Sequence, residues 1–279
     1  LHSVLSADLS KSTLNITLMT DIIRHIVDNK RREVEAMARH IVPATAPDRT
    51  HRSMSRALSQ SPTGIIAEFK RRSPSKGDIH PMAMVSEVIP SYTRAGASAC
   101  SVLTDTPYFG GALTDLAVAR TLTDIPLLRK DFIVSEFQIA EAACHGADAI
   151  LLIAAALSLD EITRLTDYAH SMDLEVLLEL HSAEEMARFY PAVDMVGINN
   201  RNLSTFHTDP GLSLTLARML PDNVVKIAES GLTSIDEVNR LRDVGYRGFL
   251  IGETFMRHTD PGRALSDFLN PPPHQSMNN

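Results

Sequence analysis

Eight short apolar runs recur along this chain, each separated from the next by room for a helix. They are IIAEF (65–69), ACSVL (99–103), IPLLR (125–129), AILLI (149–153), EVLLE (175–179), DMVGIN (194–199), VVKIA (224–228) and GFLIG (248–252). Each is rich in Ile, Leu or Val, as a parallel strand buried on both faces requires. Their starts lie 19 to 34 residues apart, enough for one helix and two loops. Helices are expected at Ser135–His145, Ser158–His170, Ser182–Tyr190 and Ser234–Val244. Ser158 with Glu161 and Ser182 with Glu185 carry the capping-box spacing, while Gly146 and Gly245 follow as C-caps.

Eight strands alternating with helices predict a closed barrel or a doubly wound sheet. The count of eight, and the lack of a GxGxxG after any run, select the barrel. The expected fold is therefore α/β, a (β/α)8 TIM barrel with an N-terminal helical extension. Helices at Met19–His40 and Arg52–Gln60 form that extension. We expect one unit over 19–268, with the extra helices in 19–63, a non-native or disordered leader at 1–18 and a disordered tail at 269–279. A length of 279 residues would suit two average domains, but a barrel uses about 250 residues as one.

The net charge of −7, with no basic block, argues against nucleic acid as a partner. No run approaches the ~20 apolar residues of a membrane span. The two cysteines, Cys100 and Cys144, cannot build a disulfide framework and lie in no zinc-like cluster. The eleven histidines include no HxxxH pair and read as surface or core residues. A cytoplasmic chain, acting as a monomer, is the expectation.

In a barrel, reactive groups sit at the C-terminal ends of the strands. Here those ends carry Glu68 and Lys70, then Lys130, Glu179, Asn199 with Arg201, Glu229 with Ser230, and Glu253. Two lysines, four carboxylates and an Asn thus converge on one mouth, which points to an active site. Lys70, Lys130 and Arg201 should make that mouth locally cationic. Gly231 and Gly252 follow strands 7 and 8, where many barrels hold a phosphate against backbone N–H groups.

Taken in order, EFKRRSPSKG (68–77), SVLTDTPYFGG (101–111), LRKDF (128–132), VLLELHSAEE (176–185), VGINNRNL (196–203), KIAESGLTS (226–234) and FLIGETFM (249–256) resemble the indole-3-glycerol-phosphate synthase family. The resemblance covers about residues 20–268, and the first and third of these motifs are highly specific. It implies ring closure of 1-(2-carboxyphenylamino)-1-deoxyribulose 5-phosphate to indole-3-glycerol phosphate, with loss of CO2 and water. This is a carboxy-lyase step of tryptophan biosynthesis that uses no metal or organic cofactor. By the same resemblance Lys130 is the general acid, Glu179 the base and Lys70 a second catalytic lysine, the order in which the lysines act being open. Glu68 pairs with the lysines, and Asn199 and Ser230 orient substrate. Ser73, Arg201, Glu229, Gly231, Gly252 and Glu253 match substrate and phosphate positions, and Phe109 and Phe132 match the aryl-holding positions. Arg72 and Asn200 depart from the family pattern beside the matched set. The loop Arg71–His80 is expected to close over the substrate.

Two rivals stand beside this reading. Another phosphosugar isomerase or epimerase would share the strand 7 and 8 glycines but would not need both lysines with SPSKG. A non-catalytic barrel would be favoured by loss of Lys130 or Glu179, and both are present.

Overall fold

The computed structural model describes residues 23–38, 50–202, 207–209 and 211–271. The expected leader 1–18, and residues 272–279 of the expected tail, lie outside the described residues. Eight parallel strands close into a barrel in sequence order: β1 Ile65–Phe69, β2 Ala99–Leu103, β3 Leu127–Lys130, β4 Ala149–Ile153, β5 Glu175–Leu180, β6 Met195–Asn199, β7 Val225–Glu229 and β8 Tyr246–Ile251. Ile65 pairs with Phe249, and Ile66 with Ala99, so β1 joins β8 and closes the ring. The ends differ from the apolar runs by at most two residues. The third strand starts at Leu127 because Pro126 has no N–H to give a ladder.

Helices ring the barrel: α1 over 23–38, α2 Met54–Gln60, α3 Val85–Arg94, α4 Thr106–Phe109, α5 Leu113–Leu122, α6 Glu136–Cys144, α7 Leu159–Ser171, α8 Gly211–Leu216, α9 Ile235–Asp243, α10 Glu253–Met256 and α11 Pro261–Leu269. Local chemistry sets many of their starts. Ser158 with Glu161, and Ser234 with Glu237, form complete capping boxes at α7 and α9. Asp260 caps α11 ahead of Pro261, whose missing N–H costs nothing in a first turn.

The helix expected over Ser182–Tyr190 is instead a single tight 3-10 turn, Glu184–Arg188. Its would-be capping carboxylate, Glu185, accepts a hydrogen bond from the backbone N–H of His181 at 2.8 Å. The turn also buries no residue, so no apolar face rewards a longer helix.

Strand alternation splits the apolar residues into two layers. Ile66, Ala99, Leu128, Leu151, Leu177, Met195, Ile227 and Leu250 point into the barrel, and Met54 and Leu58 of α2 join them as a plug. Residues one step out of phase, such as Ile65, Ala67, Leu127 and Ile150, face the surrounding helices. The barrel is a packed core, and its upper layer is where polar residues enter.

Candidate active site

The floor of the mouth is built from alternate strands. Glu68 on β1, Lys130 on β3, Glu179 on β5 and Glu229 on β7 face inward as one layer, the arrangement that barrel shear imposes on odd strands. Lys130 Nζ stands 3.7 Å from Glu68 Oε2, 3.7 Å from Glu179 Oε2 and 3.9 Å from Glu229 Oε2. Lys70, just past β1, ion-pairs with Glu68 Oε1 at 2.6 Å. Glu68 therefore bridges the two lysines.

Burial sets the ionisation of this layer. It disfavours the Lys130 ammonium, but the charges of Glu68, Glu179 and Glu229 outweigh it and raise the group above its usual value. Burial would raise Glu68, yet Lys70 and Lys130 hold it below the usual carboxylate range. Glu179 is likewise pushed up by burial and pulled well down by Lys130 and His181. For Glu229 the Lys130 charge is outweighed: burial and the Glu179 charge together push it well above the usual value. The layer thus favours the ionised forms of Glu68 and Glu179 and the neutral form of Glu229 around the Lys130 ammonium.

The rim comes from the loops. Asn199 Oδ1 accepts from the Arg201 backbone N–H at 3.0 Å and fixes the start of that loop. The Arg201 guanidinium donates to Ser75 Oγ at 3.0 Å and to Glu253 Oε2 at 3.1 Å, and Lys76 reaches Glu253 Oε1 at 3.3 Å. Burial raises Glu253, but its bonds to Arg201 and Lys76 bring it below the usual value. The loop after β1 is folded on itself as a two-residue ribbon, Arg72–Ser73 against Gly77–Asp78, and Arg71 grips Asp115 through both guanidinium nitrogens.

Ser230 and Gly231 both have positive φ, 66° and 77°. The strained Ser230 is braced by Asn200, whose Nδ2 donates to the Ser230 carbonyl at 3.1 Å while its Oδ1 accepts from Ser213. Asn200, a departure from the family pattern, therefore contacts the matched Ser230 directly. Gly252 is needed for a different reason than expected: a Cβ there would lie 2.3 Å from Glu68 Oε1.

One cavity of about 240 Å³ is lined by Glu68, Lys70, Ser73, Phe109, Lys130, Phe132, Glu179, Asn199, Arg201, Ser230, Gly231, Gly252 and Glu253. Glu229 lies behind Lys130 and is buried. The Phe109 and Phe132 rings face each other at 6.3 Å, tilted by 42°. Ile23 and Ile26 of α1 line the same cavity.

Several residues of this site escape sequence reasoning. Lys30 of α1 is buried, with Nζ 3.0 Å from Asp105 Oδ2, 3.2 Å from Asp131 Oδ1 and 3.1 Å from Glu33 Oε2. Its place on the helix face of Ile23 and Ile26 is the one signal that could have found it. His181, set aside with the other histidines, has Nε2 3.1 Å from Glu179 Oε1. The expected cationic mouth is instead charge-paired, because ions held this far from water need partners. No group of three His, Cys, Asp or Glu among the described residues is arranged to hold a metal.

A closed parallel barrel with lysines and carboxylates converging at its C-terminal mouth defines a TIM-barrel enzyme. The chain belongs to the indole-3-glycerol phosphate synthase family, whose sequence profile matches residues 23–268. It is 51% identical over 262 residues to indole-3-glycerol phosphate synthase of Bacteroides thetaiotaomicron, covering 90% of this chain and 98% of that one. The enzyme of the same name from Koribacter versatilis is 41% identical, covering 90% and 100%. Among solved structures, thiamine phosphate pyrophosphorylase from Pyrococcus furiosus shares the fold, with a TM-score of 0.56 at 14% identity over 78% of this chain and 96% of that chain.

Proposed function

We propose that this enzyme closes the indole ring, converting 1-(2-carboxyphenylamino)-1-deoxyribulose 5-phosphate to indole-3-glycerol phosphate with release of CO2 and water, in tryptophan biosynthesis. The observation that carries the reading is the Lys130 ammonium held among three carboxyls at 3.7, 3.7 and 3.9 Å, in a chain of this family. Ring closure needs an acid at the ketone oxygen, and a fixed ammonium supplies one.

The aryl carbon that bears the carboxylate attacks the ketone carbon, and the carbonyl oxygen takes the Lys130 proton. Loss of CO2 returns the C–C electron pair to the aromatic ring. The new hydroxyl then leaves as water, protonated from the Lys70–Glu68 pair, whose atoms are 2.6 Å apart. Glu179 takes the proton released from the neighbouring carbon. Phe109 and Phe132 hold the aryl ring, with Asn199 and Ser73 orienting the chain of the substrate. Glu229, raised by burial and the Glu179 charge, favours the neutral form behind Lys130 and so adds little negative charge to the site.

The phosphate would rest on the backbone around Ser230, Gly231 and Gly252. Arg201 would receive the substrate carboxylate, exchanging its contact with Glu253 for the new anion. All these groups come from one chain, so a monomer suffices. Two cysteines, too few for a disulfide framework, suit a cytoplasmic setting, and among the described residues no helix is long and apolar enough to cross a membrane.

The test is direct: purified protein is mixed with the carboxyphenylamino substrate and indole fluorescence is followed. Product formation is expected. Absence of indole-3-glycerol phosphate from folded protein would end this reading.

A further inference from the structure

We propose that His181 is the positioning residue of Glu179, an imidazolium that fixes one carboxylate oxygen and leaves the other to take the substrate's proton. The inference rests on the ring-closing reading above, which makes Glu179 the base.

His181 follows the last residue of β5, and its ring lies between two carboxylates. Nε2 is 3.1 Å from Glu179 Oε1, and Nδ1 is 3.6 Å from Glu185 Oε2. The same Glu185 oxygen accepts from the His181 backbone N–H at 2.8 Å, so Glu185 fixes the main chain and sets a negative charge beside the ring. The other Glu179 oxygen, Oε2, is buried and accepts no hydrogen bond among the described residues; it faces Lys130 at 3.7 Å. One Glu179 oxygen thus meets His181, and the other faces the Lys130 ammonium at the mouth with the Glu229 carboxyl beside it.

Charge balance explains the need. Glu68, Glu179 and Glu229 crowd around Lys130, and Lys70 is committed to Glu68. Burial and the Glu179 charge favour the neutral form of Glu229, and Glu179, buried in the same layer, needs a second cation to stay ionised. His181 supplies that cation from the side facing away from the substrate. Burial favours a neutral ring there, but Glu179, with Glu185 in support, outweighs it and pushes His181 up to about 9.

Behind the ring lies a second cavity. It is lined by Glu184, Glu185 and Arg188 of the turn after β5, and by Arg24, Asp28 and Arg31 of α1. These are the charged groups that share this cavity with His181. Glu179 lines the mouth cavity and His181 the second one. The ring therefore acts through Glu179 and does not touch substrate.

The test compares pH profiles and ring titration. His181→Asn removes the positive charge at similar size. The acidic limb of its kcat profile should move up by about 1–3 pH units, the displacement expected when an opposite charge leaves a carboxylate. KM should stay within about twofold, since removing a group that contacts no substrate changes kcat rather than shared binding. A superimposable profile, or equal losses in kcat and KM, would overturn the proposal. NMR of the His181 ring in the unaltered protein guards against a variant that fails to fold. A midpoint near 9 that falls in Glu179→Gln is expected. A ring titrating near 6.5 in the unaltered protein would overturn it. If the unaltered protein makes no indole yet the ring titrates near 9, the ring-closing reading fails while the His181–Glu179 pair stands.

Discussion

Lys30 Nζ, on the helix that precedes the barrel, lies 3.2 Å from Oδ1 of Asp131, the residue after Lys130. Asp131 is also held by Thr104 Oγ1 at 2.6 Å and by Arg129 Nη2 at 3.2 Å, and its Oδ1 accepts from the Phe132 N–H at 2.8 Å. One buried cation therefore ties α1 to the segment that carries both Lys130 and Phe132. Burial disfavours the Lys30 ammonium, yet Asp131 and Asp105 outweigh it and raise the group above its usual value.

Lys30→Met should consequently cost about 3–5 kcal/mol, because it leaves buried carboxylates without their cation. Denaturant unfolding measures the loss, and hydrogen exchange should show earlier opening over 23–38. A loss below about 1 kcal/mol would mean that α1 docks by its apolar face alone.

Lys130→Ala should lower turnover by roughly 10²–10⁴-fold, the range for loss of a positioned acid, with substrate still bound. Equilibrium binding and single-turnover assays separate the two effects. Glu179→Gln should stop later, after decarboxylation, so that rapid quench traps the hydroxyl-bearing intermediate. Unfolding of Glu179→Gln would instead make Glu179 a structural charge.

Gly252→Ala tests packing beneath the site. The added methyl would meet Glu68 Oε1 at 2.3 Å and must displace it. Overpacking of this kind costs about 1–3 kcal/mol. Because Glu68 bridges both lysines, kcat should fall together with the thermal midpoint. Full turnover in a destabilised variant would show that Glu68 need not hold this position.

Stability should peak in mildly acidic to neutral solution. Glu68, Glu179 and Asp131 all titrate below their usual values. Their contribution is present above the unfolded values of about 3.9–4.3 and is lost as pH falls through the lower folded ones. His181 has the opposite sign. Its contribution is complete below about 6.5 and is lost as pH rises through about 9. Denaturation series across that upper window should show a decline in the unaltered protein that His181→Asn flattens. Parallel declines would exclude the ring as its source.

The barrel was legible in the linear order of residues. Eight apolar runs at helix-compatible spacing correspond to β1 through β8, and serine caps at Ser158 and Ser234 mark helix starts because a cap is a local interaction. The strand-end residues Glu68, Lys70, Lys130 and Glu179 were legible for a related reason: a closed parallel barrel sends all such ends to one face. Tertiary structure alone decided which of these charges pair and which residues brace them. Lys30 meets Asp131 across about a hundred residues of chain, Asn200 braces Ser230, and Gly252 makes room for Glu68. The failed helix after β5 belongs here too, since Glu185 was claimed by His181 rather than by a cap. Buried charges take whichever partners the closed barrel brings within reach, and that choice depends on distances in space that no local pattern encodes.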